Sequence, residues 1–393
     1  MNTISSAAPQ SVVTKIPSAR LVSLDALRGF DMFWIMSGEH IVHALAKATG
    51  WPVLVWMSEQ LHHSEWNGCT FYDMIFPLFL FIAGVSMPYS MQGKLNRAGV
   101  TSADELTFAD KKPIYATMLK RTLILVFLGT VVNGLLQFKG YDQTRFASVL
   151  GRIGLAWFFA GIIYLNTNTA KQVVWLLVLL IGYWVAMMLI PVPGFGAGVL
   201  TKAGSLESYV DRLLLPGRLH SVVYDPEGIL STIPAIGTAL LGVLTGTFLK
   251  NNNGSLSMAR RALILFGAGC ALIGAGLVWD QLFPINKRLW TSSFVLYVGG
   301  WSLGFLAVFY YVIDVRGWKK WAFPFILIGS NSILIYLAAE GAVNFAHTAN
   351  FVFGGLIQLA PDNWQVVGQT VSVTLIQLLL LYFLYRKKVF LKA

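Results

Sequence analysis

The sequence predicts an all-α protein, a helical bundle threaded through a membrane about ten times, and three observations carry that reading. Of its 393 residues 56% are hydrophobic and only 12% are charged, whereas a soluble domain carries about a quarter charged residues. Apolar runs of roughly 20 residues, the length a helix needs to cross a bilayer, recur from end to end. These runs lack the two-residue alternation of a barrel strand, and the connections between them alternate in basic content.

Residues 1–20 are rich in Ser, Thr, Ala and Pro and lack a signal peptide's apolar middle, so they read as a disordered tail. Residues 21–393 read as one membrane domain. The first span, about 22–45, holds Asp25, Arg28, Asp31 and Glu39. Charges inside a membrane persist where they line a protein interior and have a task, and Arg28 sits one helical turn from each of two acids. A long connection, about 46–72, leads to the second span at 73–92. Spans at 117–137, 147–166 (holding Arg152) and 172–191 follow. A second long connection, 192–230, contains Tyr224-Asp225-Pro226-Glu227-Gly228, two acids at a turn. Spans at 231–249 and 262–282 come next, the latter with Asp280. The eighth, 291–313, is opened by Asn286-Lys287-Arg288-Leu289-Trp290, which reads as an interfacial tryptophan with flanking cations. Inside the ninth, 322–343, Gly329-Ser330-Asn331-Ser332 lets helices approach closely, and Glu340 lies near its end. The tenth is 366–385.

With the N-terminus in the cytoplasm, alternate segments hold most of the 29 Lys and Arg residues. Lys94, Arg97, Lys111, Lys112, Lys120 and Arg121 fall in one, Lys250, Arg260 and Arg261 in another, and Arg316, Lys319 and Lys320 in a third. Cytoplasmic loops carry such an excess, which puts both termini inside and the long connections outside. It also accounts for the net charge of +11 as membrane orientation, so no nucleic-acid partner is expected. Cys69 and Cys270 suggest neither a disulfide framework nor a metal site. A Gly-rich phosphate loop, a Gly-x-Ser-x-Gly elbow and a His-Glu-x-x-His pair are all missing.

The chemistry concentrates in His62-His63-Ser64-Glu65-Trp66-Asn67-Gly68, just before Asp73 and the second span. Imidazole exchanges protons near neutral pH. Glu59, Glu65 or Asp73 could fix one ring tautomer, while Trp66 and Asn67 add an amphipathic ring and an amide donor. Arg28 or Arg152 suits phosphate binding. A structural ion-pair network and a solvated loop end are the plain alternatives. A proton-coupled transporter using His63, Glu39 and Asp280 as a relay is a rival of another class.

Several blocks resemble the catalytic membrane domain of the heparan-α-glucosaminide N-acetyltransferase family. They are Asp25-Ala26-Leu27-Arg28-Gly29, His63 to Gly68 with Asp73 and Phe76-Pro77, and Val149-Leu150-Gly151-Arg152-Ile153-Gly154. Pro191-Val192-Pro193-Gly194, Tyr224 to Leu230, Asn286-Lys287 with Leu289-Trp290, and Asn331-Ser332-Ile333-Leu334 continue the order. The resemblance implies a multi-pass acetyltransferase that moves acetyl from cytosolic acetyl-CoA to an amino sugar across the membrane, with no metal. O-acetylation of an envelope glycan is the variant.

The family's active-site histidine falls on His63, with Asp73 and Glu39 as further catalytic candidates. Glu39 stands where the animal members have an important asparagine. Arg28, Arg152, Asn286, Asn331, Trp66 and Asn67 are the candidates for binding acetyl-CoA or the developing oxyanion. Lys111, Lys112, Arg121 and Arg316 are further candidates for attracting its phosphates. The animal members carry an extension and an additional span before this domain. A bacterial inner membrane is therefore the expected location; a homodimer is left open.

Overall fold

Helix begins at Val22 and continues for 28 residues in three joined pieces: α1 (Val22–Phe33), a π-helical turn (Trp34–Gly38) and α2 (Glu39–Thr49). The computed structural model describes residues 21–251 and 256–391; the expected tail at 1–20 lies outside the described residues. Gly50, with φ 64°, ends α2, and α3 (Pro52–Gln60) folds back beside it as a short hairpin. Then come α4 (Phe71–Ala98), α5 (Phe108–Val132), α6 (Val149–Asn166) and α7 (Thr169–Leu189). A short amphipathic helix, α8 (Leu206–Leu214), precedes α9 (Thr232–Lys250), α10 (Met258–Asp280) and α11 (Ser292–Phe309). The chain finishes with α12 (Phe323–Ser330), α13 (Ser332–Leu337), α14 (Phe345–Gln358) and α15 (Asp362–Arg386).

Among the described residues eight helices are long and apolar enough to cross a membrane: α4, α5, α6, α7, α9, α10, α11 with its π-helical extension, and α15. They match eight of the ten expected spans within a few residues at most ends; α5 begins nine residues before its expected start. The other two are interrupted. Residues 320–340 form a pair bent by 67° at Asn331, and 22–49 is interrupted by the π turn Trp34–Gly38. Both breaks lie where the sequence puts charge or small polar residues into an apolar run, and π turns recur at functional sites.

Helices α4 and α9 form the middle of the bundle and are its most buried spans. Their backbones touch: a Cβ on Gly84 would lie 2.1 Å from the Ala239 carbonyl oxygen, and one on Gly242 2.1 Å from that of Phe81. Small residues of this kind replace the hydrophobic driving force that helices lack in lipid. Around this pair sits one continuous core that includes Leu80, Phe81, Val85, Ala239, Leu240 and Val243. Trp290, expected at the lipid boundary, is instead 1% exposed. It adopts φ 52°, donates from its indole to Thr238 Oγ1 at 3.1 Å, and meets Phe76 edge-on. A bulky residue in this left-handed region is held there by its surroundings, so the connection from α10 to α11 is a rigid plug rather than a loose loop.

Candidate functional site

The site is built where α4 begins. Thr70 and Asp73 form a capping box, in which a side chain satisfies backbone N–H groups that a helix start leaves unpaired. Oδ2 of Asp73 accepts the backbone N–H of Thr70 at 3.2 Å and of Ser64 at 3.1 Å. The other oxygen, Oδ1, lies 2.8 Å from His63 Nδ1. Asp73 is fully buried, while His63 keeps 38% of its side chain exposed, so one end of the imidazole is anchored and the other faces outward.

Lys287 closes the group from the opposite connection. Its Nζ lies 3.0 Å from His63 Nδ1 and 3.3 Å from Asp73 Oδ1. Burial lowers the Lys287 pKa, the charges of Asp73 and Glu227 raise it, and Arg288 lowers it again; the net shift is downward. The two connections are pinned together beside it. Gly68, with φ 101°, donates its N–H to the Ile285 carbonyl at 2.7 Å and bridges Asn286. Asn286 Nδ2 donates to Asn67 Oδ1 at 3.1 Å, and its Oδ1 accepts the Leu289 N–H.

The adjacent imidazole is differently placed. His62 stacks on His43 with centroids 4.4 Å apart, and His43 Nδ1 is 2.6 Å from Ser58 Oγ, so His62 belongs to the α2–α3 hairpin. Glu39 pairs with His43 at 3.5 Å and does not join the His63–Asp73 pair. Trp66 donates to the Leu200 carbonyl and packs edge-on against Tyr224, bracing the loop.

A second charged group lies on the acidic turn. Arg145 forks onto both oxygens of Asp225, at 2.8 and 2.6 Å, and pairs with Glu227. Burial alone would lower the Arg145 pKa, but Asp225 and Glu227 hold it above its ordinary value. Asp225, pushed up by burial, ends below the usual carboxylate range because Arg145 and two backbone N–H groups outweigh it. Arg152 donates to Ser231 Oγ at 2.5 Å and to the Gly228 carbonyl, and lies over the Trp290 ring. Of the two arginines considered for phosphate binding, Arg28 and Arg152 line separate cavities, and Arg152 also holds the turn to α9.

Further along α4, a cavity of about 840 Å³ is lined by Phe79, Ala83, Ser86 and Ser90, which share one helix face. Arg28 and Arg121 also line it; Arg28 donates to Ser86 Oγ at 2.9 Å, and Arg121 lies over Trp157. At 1.5 Å per residue the cavity wall runs from roughly 9 to 25 Å beyond Asp73. The Asn331 amide donates to the Val389 carbonyl and accepts the Leu391 N–H, so it ties the end of the chain to the break between α12 and α13. Of the other expected phosphate contacts, Lys111 is turned onto the Asp104 carbonyl and Arg316 onto Trp318.

A family model described as heparan-alpha-glucosaminide N-acetyltransferase, catalytic, matches residues 20–277. The chain belongs to this family. The match covers α1 through most of α10, and so includes His63, Asp73 and both arginines of the cavity. The human heparan-alpha-glucosaminide N-acetyltransferase is 30% identical over 84% of this chain, and the mouse protein 29% over the same share. The chain spans about half the length of these relatives, 55% and 56%. Family membership and eight membrane-crossing helices make this a multi-pass membrane protein. Lys287, beside His63 and Asp73, and Arg145, on the acidic turn, are the charged residues that the sequence reading did not single out. The Asn286-Lys287 block was the available signal for the first, but it reads equally well as a membrane-boundary cation.

Proposed function

We propose that this protein is a membrane acetyltransferase that passes acetyl from acetyl-CoA to the amino group of a glucosamine-like sugar, with His63 as general base. The observation that carries this is the His63–Asp73 pair at the head of the same helix whose later turns line the Arg28–Arg121 cavity. The basic bias of the segments at the far end of α4 favours that end as the compartment holding acetyl-CoA. Arg28 and Arg121 suit its phosphates, and the pantetheine arm would extend along α4 to bring the thioester to His63.

With Nδ1–H donated to Asp73, the lone pair of Nε2 is free to take a proton from the attacking amine. The amine nitrogen bonds to the acetyl carbon, the carbon–sulfur bond breaks, and the proton passes from Nε2 to the departing thiolate. Asn67, whose Oδ1 is held by Asn286, offers its amide N–H to the developing oxyanion. An acetyl-imidazole intermediate uses the same geometry with Nε2 as nucleophile. The membrane, in this reading, is a bacterial inner membrane.

The test is transfer of labelled acetyl from acetyl-CoA to glucosamine by purified protein. General base catalysis contributes on the order of 10² to 10⁴ in rate, so His63→Ala is expected to lose that much and His62→Ala to keep most activity. Proton-driven solute uptake without acetyl-CoA, or full activity in His63→Ala, would overturn the reading.

A further inference from the structure

We propose that Lys287 is the group with which His63 exchanges its Nδ1 proton during acetyl transfer, a role that rests on His63 being the base. An ammonium has only N–H bonds to offer, and so does a protonated Nδ1. Nδ1 lies 2.8 Å from the Asp73 carboxylate and 3.0 Å from Lys287 Nζ. The first contact requires a proton on Nδ1. The second is then a hydrogen bond only if Lys287 presents a lone pair, as a neutral amine. If Lys287 is an ammonium, it donates to Nδ1, and the ring proton must sit on Nε2. The two close contacts therefore place the Nδ1 proton on either His63 or Lys287, the second only when Nε2 gains a proton of its own.

The surroundings make both places accessible. Lys287 is 9% exposed, and an amine taken out of water loses much of its preference for the charged form. Asp73 and Glu227 favour the charge, while the neighbouring Arg288 opposes it. Asp73 cannot be the alternative acceptor, because its Oδ2 already receives two backbone N–H groups and its Oδ1 faces both His63 and Lys287.

The sequence of transfers balances. Nε2 takes the proton of the attacking amine while Nδ1 gives its own to Lys287 Nζ, leaving a neutral imidazole and an ammonium 3.3 Å from Asp73. When the thiolate leaves, Nε2 delivers its proton to sulfur and Nδ1 recovers the one held by Lys287. No full imidazolium accumulates beside a buried lysine. Lys287 is a positioning residue in this scheme, since it reaches the reacting atoms only through the ring.

Two variants separate this from a structural role. Lys287→Arg keeps a basic side chain with hydrogen-bond donors but cannot exchange a proton, and Lys287→Met keeps roughly the volume alone. Both are expected to lose at least tenfold in kcat with the KM for acetyl-CoA changed less than twofold. The dependence of rate on D₂O fraction should be curved in the wild type, for two protons in flight, and linear in both variants. Wild-type kcat in Lys287→Arg would overturn the proposal. A separate measurement needs no acetyl transfer: the ¹⁵N signal of His63 Nδ1, assigned with His63→Gln, should lie between the protonated and free values in the wild type. It should reach the protonated value in Lys287→Met. Identical signals in the two proteins would sink the proposal whatever the acceptor proves to be, whereas failure of transfer with the signal shift intact would sink only the acetyltransferase reading.

Discussion

His62 and His63 are neighbours in the chain, but their environments divide their tasks. The carboxylate of Asp73 reaches only His63, because the first turn of α4 carries it to that ring. Asp73→Asn is expected to lower kcat by about 10² or more, since the amide can present an N–H to Nδ1 and so favour the wrong tautomer. It should also cost on the order of 1 kcal/mol as a weaker helix cap. Steady-state kinetics and thermal unfolding, measured together, test both parts. The sequence already displayed these residues, and spacing alone put His63, Asp73 and Asn67 close together. It left the choice of imidazole open because adjacent side chains in a loop have no fixed direction. Lys287 lies 224 residues from His63, and no local periodicity reports a contact of that range.

At the scale of elements, two packing devices set the geometry around the site. The first is the α4–α9 contact. Gly242→Ala puts a methyl carbon 2.1 Å from a backbone oxygen, which a flexible side chain cannot relieve; overpacking of this kind costs about 1–3 kcal/mol. A lowered unfolding temperature in detergent, with acetyl-CoA affinity following it, is the expected result. The second is α8, whose Glu207 and Asp211 lie one turn apart and are both fully buried. Burial, and for Glu207 the adjacent Asp211, raise both pKa values, that of Asp211 to about 6 from its ordinary 3.8.

Asp211 accepts the Ile229 N–H, and Glu207 accepts from Ser231, which in turn holds Arg152. The folded state therefore binds more protons than the unfolded chain between about pH 4 and 6, so stability falls as pH rises through that window. The loss is on the order of 2–3 kcal/mol for Asp211. Asp211→Asn should flatten this dependence, read as the difference in unfolding temperature between pH 5 and pH 7. The sequence marks the acids of the 224–228 turn but not these two, whose partners come from separate helices.

Across the whole molecule, the proposed transfer requires a path from the Arg28–Arg121 cavity to His63. Arg28→Leu and Arg121→Leu are each expected to raise the KM for acetyl-CoA about tenfold, a loss of roughly 1.4 kcal/mol of binding, with little change in kcat. A short thioester lacking the nucleotide should be indifferent to both changes; equal effects on the two donors would refute the assignment.

The all-α class, membrane embedding and family were determined by the sequence alone, because apolar run length and order of motifs are properties of the chain itself. The pairing of His63 with Asp73 and Lys287, the hydrogen-bond partners of Arg152 and Asn331, and the burial of Trp290 were decided only by tertiary structure. Each depends on which helices pack side by side, and the uniform apolar surface of a membrane helix carries little record of its neighbour.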